Sequence, residues 1–134
     1  MIRAFTPVDR ESVLGILKAN IPKYFASEEY EDFEEYLNTH LEEYFVSVEN
    51  NEIVGAGGIN YFPEKGEARI SWDFVHPNHH GKGIGRQLLS HRLTRIKENA
   101  SIKEVTVRTT QLVFPFYEKA GFNLVKTEKN FWAE

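Results

Sequence analysis

The sequence has no cysteine among its 134 residues, which excludes disulfides, thiolate metal ligands and a cysteine nucleophile. It also lacks an apolar run close to the roughly 20 residues that span a bilayer, and residues 1–7 show no signal-peptide core. Basic residues are few, with 16 Lys and Arg against 20 Asp and Glu, whereas nucleic-acid-binding surfaces are usually basic. We therefore expect a cytoplasmic protein that binds neither membranes nor nucleic acids.

What the sequence does contain is typical of a globular protein. Hydrophobic residues make up 41% and charged residues 27%, and the chain is long enough to build one hydrophobic core. No repeats or linkers divide it, so we expect a single domain over residues 1–134. No metal site is expected, because carboxylates do not stand at a recognisable ligand spacing from the neighbouring histidines. These histidines are His76, His79, His80 and His91.

The most informative stretch is residues 80–86, which read His-Gly-Lys-Gly-Ile-Gly-Arg. Residues 69–75 before it alternate in polarity and are rich in β-branched and aromatic types, which predicts a strand. Apolar residues after it recur at helical spacing as far as Ile96. A strand, a glycine turn and a helix N-terminus together form an anion site, because free N–H groups and the helix dipole favour negative charge. Lys82 and Arg86 add positive charge, so we expect a phosphate or pyrophosphate ligand.

Two common phosphate-binding fingerprints do not fit this stretch. The dinucleotide fingerprint G-x-G-x-x-G fails because Leu88 stands where the third glycine should be, and no P-loop string G-x-x-x-x-G-K-[ST] occurs. Residues 75–85 instead resemble the pyrophosphate loop of the GNAT superfamily of acyl-CoA-dependent N-acetyltransferases, whose pattern is Q/R-x-x-G-x-G/A after a strand. His80 stands where that family usually has Gln or Arg. Taken alone, this motif also fits a plain glycine-rich turn.

A second stretch, residues 116–122, matches the same family. It reads Phe-Tyr-Glu-Lys-Ala-Gly-Phe and resembles the family's C-terminal signature, a helix that carries a tyrosine and ends in Gly-Phe. The resemblance covers residues 43–130. It implies an α/β (α+β) fold with a mixed, mainly antiparallel central sheet that splays at its middle strands and has helices on both faces. The chain ends without the family's last strand, so we expect a sheet one C-terminal strand short, or one completed in a homodimer.

The N-terminal third predicts two helices, followed by a hairpin of residues 44–48 and 53–61. Thr6 and Pro7 have the residue types expected at the start of the first helix, and Ser27 those of the second. The second helix is crowded with acidic residues. These form an ordinary solvated face or, since the family's first two helices flank the acceptor site, a rim that attracts a cationic amine.

The resemblance implies transfer of an acetyl group from acetyl-CoA, the expected co-substrate, directly to a primary amine of a small molecule or peptide. Pantetheine would lie in the wedge where the sheet splays, with the N–H of Val75 donating to the thioester oxygen. Thr110 stands where the family often has Asn. The residues expected to bind acetyl-CoA are Phe74, Val75, His80, Gly81, Lys82, Gly83, Ile84, Gly85, Arg86 and Thr110.

Tyr117 is expected to be the general acid, because a phenol with a pKa near 10 suits proton donation to a thiolate; the alternative is a packing role only. Asp73 is the first candidate for the general base, and Glu67 could act through water. Arg69 and Ser71 are expected to bind the acceptor, although Arg69 could instead pair with Glu67. Alternation along the strand would place four of these side chains on one face, towards the acceptor: Glu67, Arg69, Ser71 and Asp73. The opposite face would then carry Ala68, Ile70, Trp72 and Phe74.

Two other functions fit the sequence less well. The residues at positions 69, 80 and 110 depart from the family pattern, which would suit a catalytically weak acyl-CoA-binding sensor module. A nucleotide-binding protein is the third reading of the glycine stretch.

Overall fold

The computed structural model describes residues 1–108 and 114–122. Two helices follow the first strand, three strands and a third helix come next, and a last strand and helix end the described chain, with three short 3₁₀ turns between elements. The strands are β1 (Ile2–Ala4), β2 (Glu43–Glu49), β3 (Glu52–Phe62), β4 (Glu67–Val75) and β5 (Glu104–Val107). The helices are α1 (Arg10–Ala19), α2 (Glu29–Thr39), α3 (Ile84–Lys97) and α4 (Phe114–Lys119).

The five strands form one sheet in the order β1-β2-β3-β4-β5. The first three pairs of neighbours are antiparallel, and β4 and β5 are parallel. The described pairing of β4 with β5 ends at Ile70 and Val107, whereas β4 continues to Val75. The sheet is therefore mixed, mainly antiparallel and open beside the end of β4, as the sequence predicted. The predicted shortage of a C-terminal strand concerns residues that lie outside the described ones.

Two hydrophobic clusters cover the two faces of the sheet. Helices α1 and α2 pack on one face through buried residues such as Leu17 and Phe33. Helix α3 packs on the other face through Leu88, Leu89 and their neighbours, together with α4. The tyrosine of the predicted C-terminal signature, Tyr117, is buried in this second cluster. The prediction of helices on both faces is thus confirmed.

A β-bulge interrupts β4 and reverses the predicted alternation. Ser71 pairs with Gly58 and Phe74 with Ala56, so two residues, Trp72 and Asp73, stand opposite Gly57. Trp72 has a positive φ of 48°, which accommodates the extra residue. The predicted division of faces is therefore wrong beyond Ser71, because one inserted residue moves every later side chain to the other face.

The side chains around the bulge show the reversal directly. Ala68 and Ile70 belong to the cluster under α3, as alternation requires, but Trp72 and Phe74 pack into the cluster under α1 and α2. Asp73 points to the α3 face, where it meets Arg92. Asp73 therefore does not share a face with Ser71, whose hydroxyl contacts Asn60 below α2.

Helix α2 begins at Glu29, two residues after the predicted N-cap Ser27. The Ser27 hydroxyl donates to the exposed Glu28 side chain, whereas the Glu29 carboxylate turns back and accepts the N–H of Ala26 at 2.8 Å. This bond ties the start of α2 to the turn that precedes it. The side chain of Glu29 is buried, and its second oxygen, Oε1, has no hydrogen-bond partner in the described part of the chain.

We expect the stability of the protein to fall as the pH rises from about 4.5 to about 7 because of Glu29. Burial raises the pKa of Glu29 from its usual value near 4.5 to about 7. The folded state then holds a proton that the unfolded chain releases, so the free energy of unfolding decreases between pH 4.5 and 7. In the natural protein the free energy of unfolding should fall by about 2–3 kcal/mol between these pH values, and in Glu29→Gln it should not. Urea unfolding at several pH values measures both.

The control for this prediction is Glu28→Gln, because Glu28 precedes Glu29 and is exposed. This variant should keep the slope of the natural protein. Parallel stability curves for the natural protein and Glu29→Gln would contradict the prediction.

Candidate active site

The turn between β4 and α3 has the geometry of an anion-binding loop. Gly83 is the N-cap of α3 and has φ +82°, and Gly81 has φ +79°. A residue with a Cβ rarely adopts this left-handed conformation, so glycine is required here by the backbone and not by crowding. Among the residues that the structure describes, no heavy atom lies within 4 Å of a Cβ built on either glycine. The space above the loop is therefore open to a ligand.

The amide groups of the loop are free to bind that ligand. Gln87 is the first residue of the helix start whose N–H is bonded, to the carbonyl of Gly83 at 3.0 Å. Within the described part of the chain, the N–H groups of residues 81–86 have no backbone acceptor. Unpaired N–H groups at the first turn carry the positive end of the helix dipole. The start of α3 therefore offers donors that an anion could bind.

Two basic side chains add to this positive potential. Lys82 and Arg86 are exposed beside the loop, and among the residues that the structure describes neither makes an ion pair. An exposed cation without a local counter-ion is available to an incoming anion. Loop amides and flanking cations together suit a diphosphate.

The carbonyl of Val75, at the end of β4, is held from two sides. The side-chain amide of Asn20 donates to it at 3.1 Å, and the ring Nε2 of His80 lies 2.8 Å from it. The ring of Tyr24 packs edge-on against His80, with 5.0 Å between centroids. The predicted coenzyme ligand His80 therefore uses one ring nitrogen within the protein, and the end of α1 is tied to the loop.

The N–H of Val75 is directed to the open side of β4. The next residue, His76, donates its own N–H to Val54 on β3 at 2.8 Å. Successive N–H groups of a strand point to opposite edges, so the N–H of Val75 faces away from β3. This direction fits the donor expected for a thioester oxygen.

A cavity of about 510 Å³ connects the loop, the end of β4 and α4. Its volume lies within the range usual for small-molecule sites. The sequence-predicted residues that line it are Asp73, Phe74, Val75, His80, Gly81, Gly83, Ile84, Gly85, Arg86 and Tyr117. The lining residues that sequence reasoning missed include Asn20, Tyr24, Phe25 and Phe116.

Four other predicted site residues do not line the cavity, and one of them is Ser71, which bonds Asn60. Glu67 accepts hydrogen bonds from Thr106 and Arg69 at the start of β4, and these donors lower its pKa. Glu67 and Asp73 are six positions apart in the sequence, which is about 20 Å along a strand. Arg69 makes the ion pair with Glu67 that the sequence offered as its alternative role, at 3.3 Å. Lys82 lies on the loop outside the cavity wall; the fifth residue, Thr110, lies outside the described residues.

In the lining of the cavity, Asp73 joins Tyr117 to a buried arginine. Arg92, on α3, is fully buried and bonds both oxygens of Asp73, with 2.6 Å between Nη2 and Oδ2. The hydroxyl of Tyr117 donates to the same Oδ2 at 2.9 Å. Burial raises the pKa of Tyr117 well above its usual value near 10, and the Asp73 carboxylate adds to the rise while Arg92 opposes it. Tyr117 is therefore protonated at neutral pH.

Sequence reasoning missed Arg92, although the sequence holds a signal for it. Ile84, Leu88, Arg92 and Ile96 form one row at four-residue spacing on α3, so an arginine takes a position on the buried face. A buried arginine needs a carboxylate partner. Asp73 can be this partner because the bulge in β4 places its side chain on the α3 face.

The structure gives no sign of a metal centre or a membrane helix where it describes the chain. Among residues 1–108 and 114–122, no three His, Asp or Glu side chains converge as metal ligands. None of the helices in this part is both long and apolar enough to cross a bilayer.

Comparison with known proteins points to one family. The family model of an acetyltransferase (GNAT) domain matches residues 9–132. A search of curated proteins gave no significant match. Among solved structures, an acetyltransferase of Trypanosoma brucei superposes with a TM-score of 0.72 at 21% identity, covering 98% of this chain and 97% of that one.

Two further structures carry the coenzyme. A GNAT-family acetyltransferase from Brucella melitensis, in complex with acetyl-CoA, has a TM-score of 0.76 at 20% identity, with 92% of this chain and 82% of that one covered. An aminoglycoside 6'-N-acetyltransferase complexed with coenzyme A has a TM-score of 0.73 at 16% identity, with 98% and 89% covered. At these identities, the likeness shows a shared fold.

Proposed function

Because this chain belongs to the GNAT acetyltransferase family, we propose that it transfers an acetyl group from acetyl-CoA directly to a primary amine of a small molecule or peptide. The observation that carries the proposal is the open loop of residues 81–86, with unpaired amides and two flanking cations, at the mouth of the 510 Å³ cavity. Acetyl-CoA bound to the similar Brucella melitensis protein supports this co-substrate.

The loop would bind the diphosphate of acetyl-CoA, and the cavity would bind the pantetheine arm. The N–H of Val75 would donate to the thioester oxygen and stabilise the negative charge that develops there during attack. Phe74 and Phe116 offer apolar walls in the same cavity. This arrangement would hold the reacting carbonyl carbon between the loop and Tyr117.

In the proposed reaction, the lone pair of the amine nitrogen attacks the thioester carbonyl carbon and forms the new C–N bond. The C–S bond then breaks, and coenzyme A leaves as a thiolate. Tyr117 is the proposed acid that protonates the thiolate, since its hydroxyl is protonated and its side chain lines the cavity. The amine gives up one proton as the amide forms, and a proton from solvent restores the Tyr117 hydroxyl for the next turnover.

No carboxylate in the described part of the cavity is free to take that proton. Both oxygens of Asp73 are bonded to Arg92, and Tyr117 occupies Oδ2 as well. Glu67, the second candidate, is not among the cavity-lining residues. We therefore assign the removal of the amine proton to solvent.

Solvent deprotonation predicts how the rate depends on pH. The value of kcat/KM for the amine should rise about tenfold per pH unit up to the pKa of the free amine, because only the neutral amine attacks. Two acceptors with different pKa values should show plateaus displaced by that difference. A plateau at the same pH for both acceptors would instead identify a base on the protein.

Gly83 tests the coenzyme site. We expect Gly83→Ala to weaken acetyl-CoA binding about tenfold, because the left-handed backbone costs a non-glycine residue about 1–2 kcal/mol and the loop would relax away from its donor geometry. The measurement is calorimetric titration with acetyl-CoA. The control is Gly15→Ala, because Gly15 lies in α1 with open space around it and no positive φ. Unchanged binding in Gly83→Ala would remove the loop from the proposal.

Turnover is tested by the release of free thiol from acetyl-CoA with a panel of primary amines. Amine-dependent release supports the enzyme. Binding of acetyl-CoA without release above the rate in buffer on any amine would favour the acyl-CoA sensor, and binding of ATP but not of CoA would indicate a nucleotide-binding protein.

A further inference from the structure

We propose that Arg92 is a positioning residue for Tyr117, acting through Asp73; this inference rests on the proposed acetyl transfer. Arg92 lies on the buried row of α3, and Tyr117 lies on α4. No hydrogen bond joins them directly. Asp73 connects them by accepting hydrogen bonds from both on the same oxygen, Oδ2.

The guanidinium of Arg92 occupies a space in the sheet that the missing side chain of Gly57 leaves open. A Cβ built on Gly57 would lie 2.8 Å from the guanidinium carbon of Arg92 and 2.8 Å from Oδ1 of Asp73. Gly57 is the residue opposite the bulge of β4. The bulge and the glycine together leave the space in which the guanidinium of Arg92 contacts the carboxylate of Asp73.

The guanidinium of Arg92 is fixed by main-chain groups. Its Nε donates to the carbonyl of Leu88 on α3 at 3.0 Å, and its Nη1 donates to the carbonyl of Gly58 on β3 at 3.1 Å. Its two terminal nitrogens also bond both oxygens of Asp73. A planar guanidinium bound to a helix, a strand and a carboxylate has no remaining freedom of orientation.

The fixed carboxylate of Asp73 sets the direction of the Tyr117 hydroxyl. The ring of Tyr117 packs edge-on against Phe116 and Phe122, with centroids 5.0 and 5.7 Å away. These contacts locate the ring, and the bond to Asp73 selects where the hydroxyl proton points. The phenol oxygen is thereby held at the cavity wall. When a thiolate forms, the hydroxyl proton can turn to sulfur, and Arg92 still balances the charge of Asp73.

Stability alone does not account for this arrangement. A buried ion pair is costly to desolvate, and apolar residues of similar volume often stabilise a protein equally well. The pair stands at the edge of the cavity, with the Asp73 side chain 16% exposed and Arg92 fully buried. The ion pair therefore holds Oδ2 of Asp73 in place as the acceptor for the hydroxyl of Tyr117, the proposed acid.

The kinetic test is a double-mutant cycle between Arg92 and Tyr117. Arg92→Met should lower kcat at least about tenfold in the natural background, since small displacements of a catalytic group are costly. In the Tyr117→Phe background the same change should lower kcat less than about twofold, because there is no acid left to position. The acetyl-CoA dissociation constant should stay within about threefold in all variants. Equal factors in the two backgrounds would assign Arg92 a structural role only and overturn the proposal.

A second readout does not depend on turnover. In NMR spectra of the protein with ¹³C-labelled tyrosine, the signal that disappears in Tyr117→Phe belongs to the ring of Tyr117. The position of this signal reports the surroundings of that ring. Arg92→Met should shift or broaden this signal, whereas Arg95→Met, which removes the exposed ion pair with Glu43 on the same helix, should not. If Arg92→Met folds poorly, Asp73→Leu/Arg92→Met removes both charges and takes its place in both tests. An unchanged signal in a folded variant would overturn the inference; a changed signal with no thiol release from the natural protein would reject the proposed reaction only.

Discussion

Tyr117→Phe is expected to lower kcat by about 100-fold or more, with acetyl-CoA binding unchanged. General acids contribute about 10²–10⁴-fold to the reactions that they catalyse, and the substitution removes only the hydroxyl that donates to Asp73 at 2.9 Å. The ring remains buried between Phe116 and Phe122. The measurement is steady-state thiol release with the best acceptor from the panel, together with the dissociation constant of acetyl-CoA.

The control for this result is Tyr61→Phe. Tyr61 lies on β3, and its hydroxyl donates to Glu43 at 3.1 Å, away from the lining of the cavity. It should keep kcat within about twofold. A kcat for Tyr117→Phe as high as that of Tyr61→Phe would leave Tyr117 with a packing role, the alternative that the sequence left open.

Arg92→Met is expected to cost about 3–5 kcal/mol of unfolding free energy, because it leaves the carboxylate of Asp73 in a largely buried place without a counter-ion. Such a loss is a large part of the roughly 5–15 kcal/mol that stabilises a domain. Urea unfolding at neutral pH measures it. Removing both charges together, in Asp73→Leu/Arg92→Met, should recover most of the loss, since it leaves no ion unpaired.

Arg95→Met is the matched control, three residues along the same helix. Arg95 also pairs with a carboxylate, that of Glu43 at 2.9 Å, but the Arg95 side chain is 43% exposed and the Arg92 side chain is not exposed at all. Exposed pairs contribute about 0–1 kcal/mol. Equal losses in Arg92→Met and Arg95→Met would show that burial does not distinguish the two pairs.

The features that the sequence predicted well are those set by local residue types. The glycines at 81 and 83 require a turn with positive φ, and the apolar spacing from Ile84 requires a helix immediately after it. The turn and the helix place the N-terminus of α3 close to the end of β4, and this placement depends only on residues near each other in the sequence. The loop that we propose to bind the diphosphate could therefore be located from residues 80–86.

The features that the sequence did not reveal depend on contacts between distant segments. Asn20 reaches the carbonyl of Val75 across 55 positions of the chain, and no local pattern indicates that contact. The bulge at Trp72 depends on the register of β3, which period-two reasoning takes as unbroken. The partnership of Arg92 with Asp73 required the bulge, the small residue Gly57 and the buried row of α3 to be known together.

The extra residue at the bulge makes β4 behave as two short segments of opposite phase. Before it, an even-numbered residue such as Ile70 faces α3; after it, an even-numbered residue such as Phe74 faces α1 and α2. Engineering of the pocket for longer acyl chains should therefore start from Phe74, which lines the cavity, and treat Ile70 as part of the scaffold. Deleting one residue between Ser71 and Phe74 would exchange the two layers, so length changes in this strand are less tolerable than substitutions.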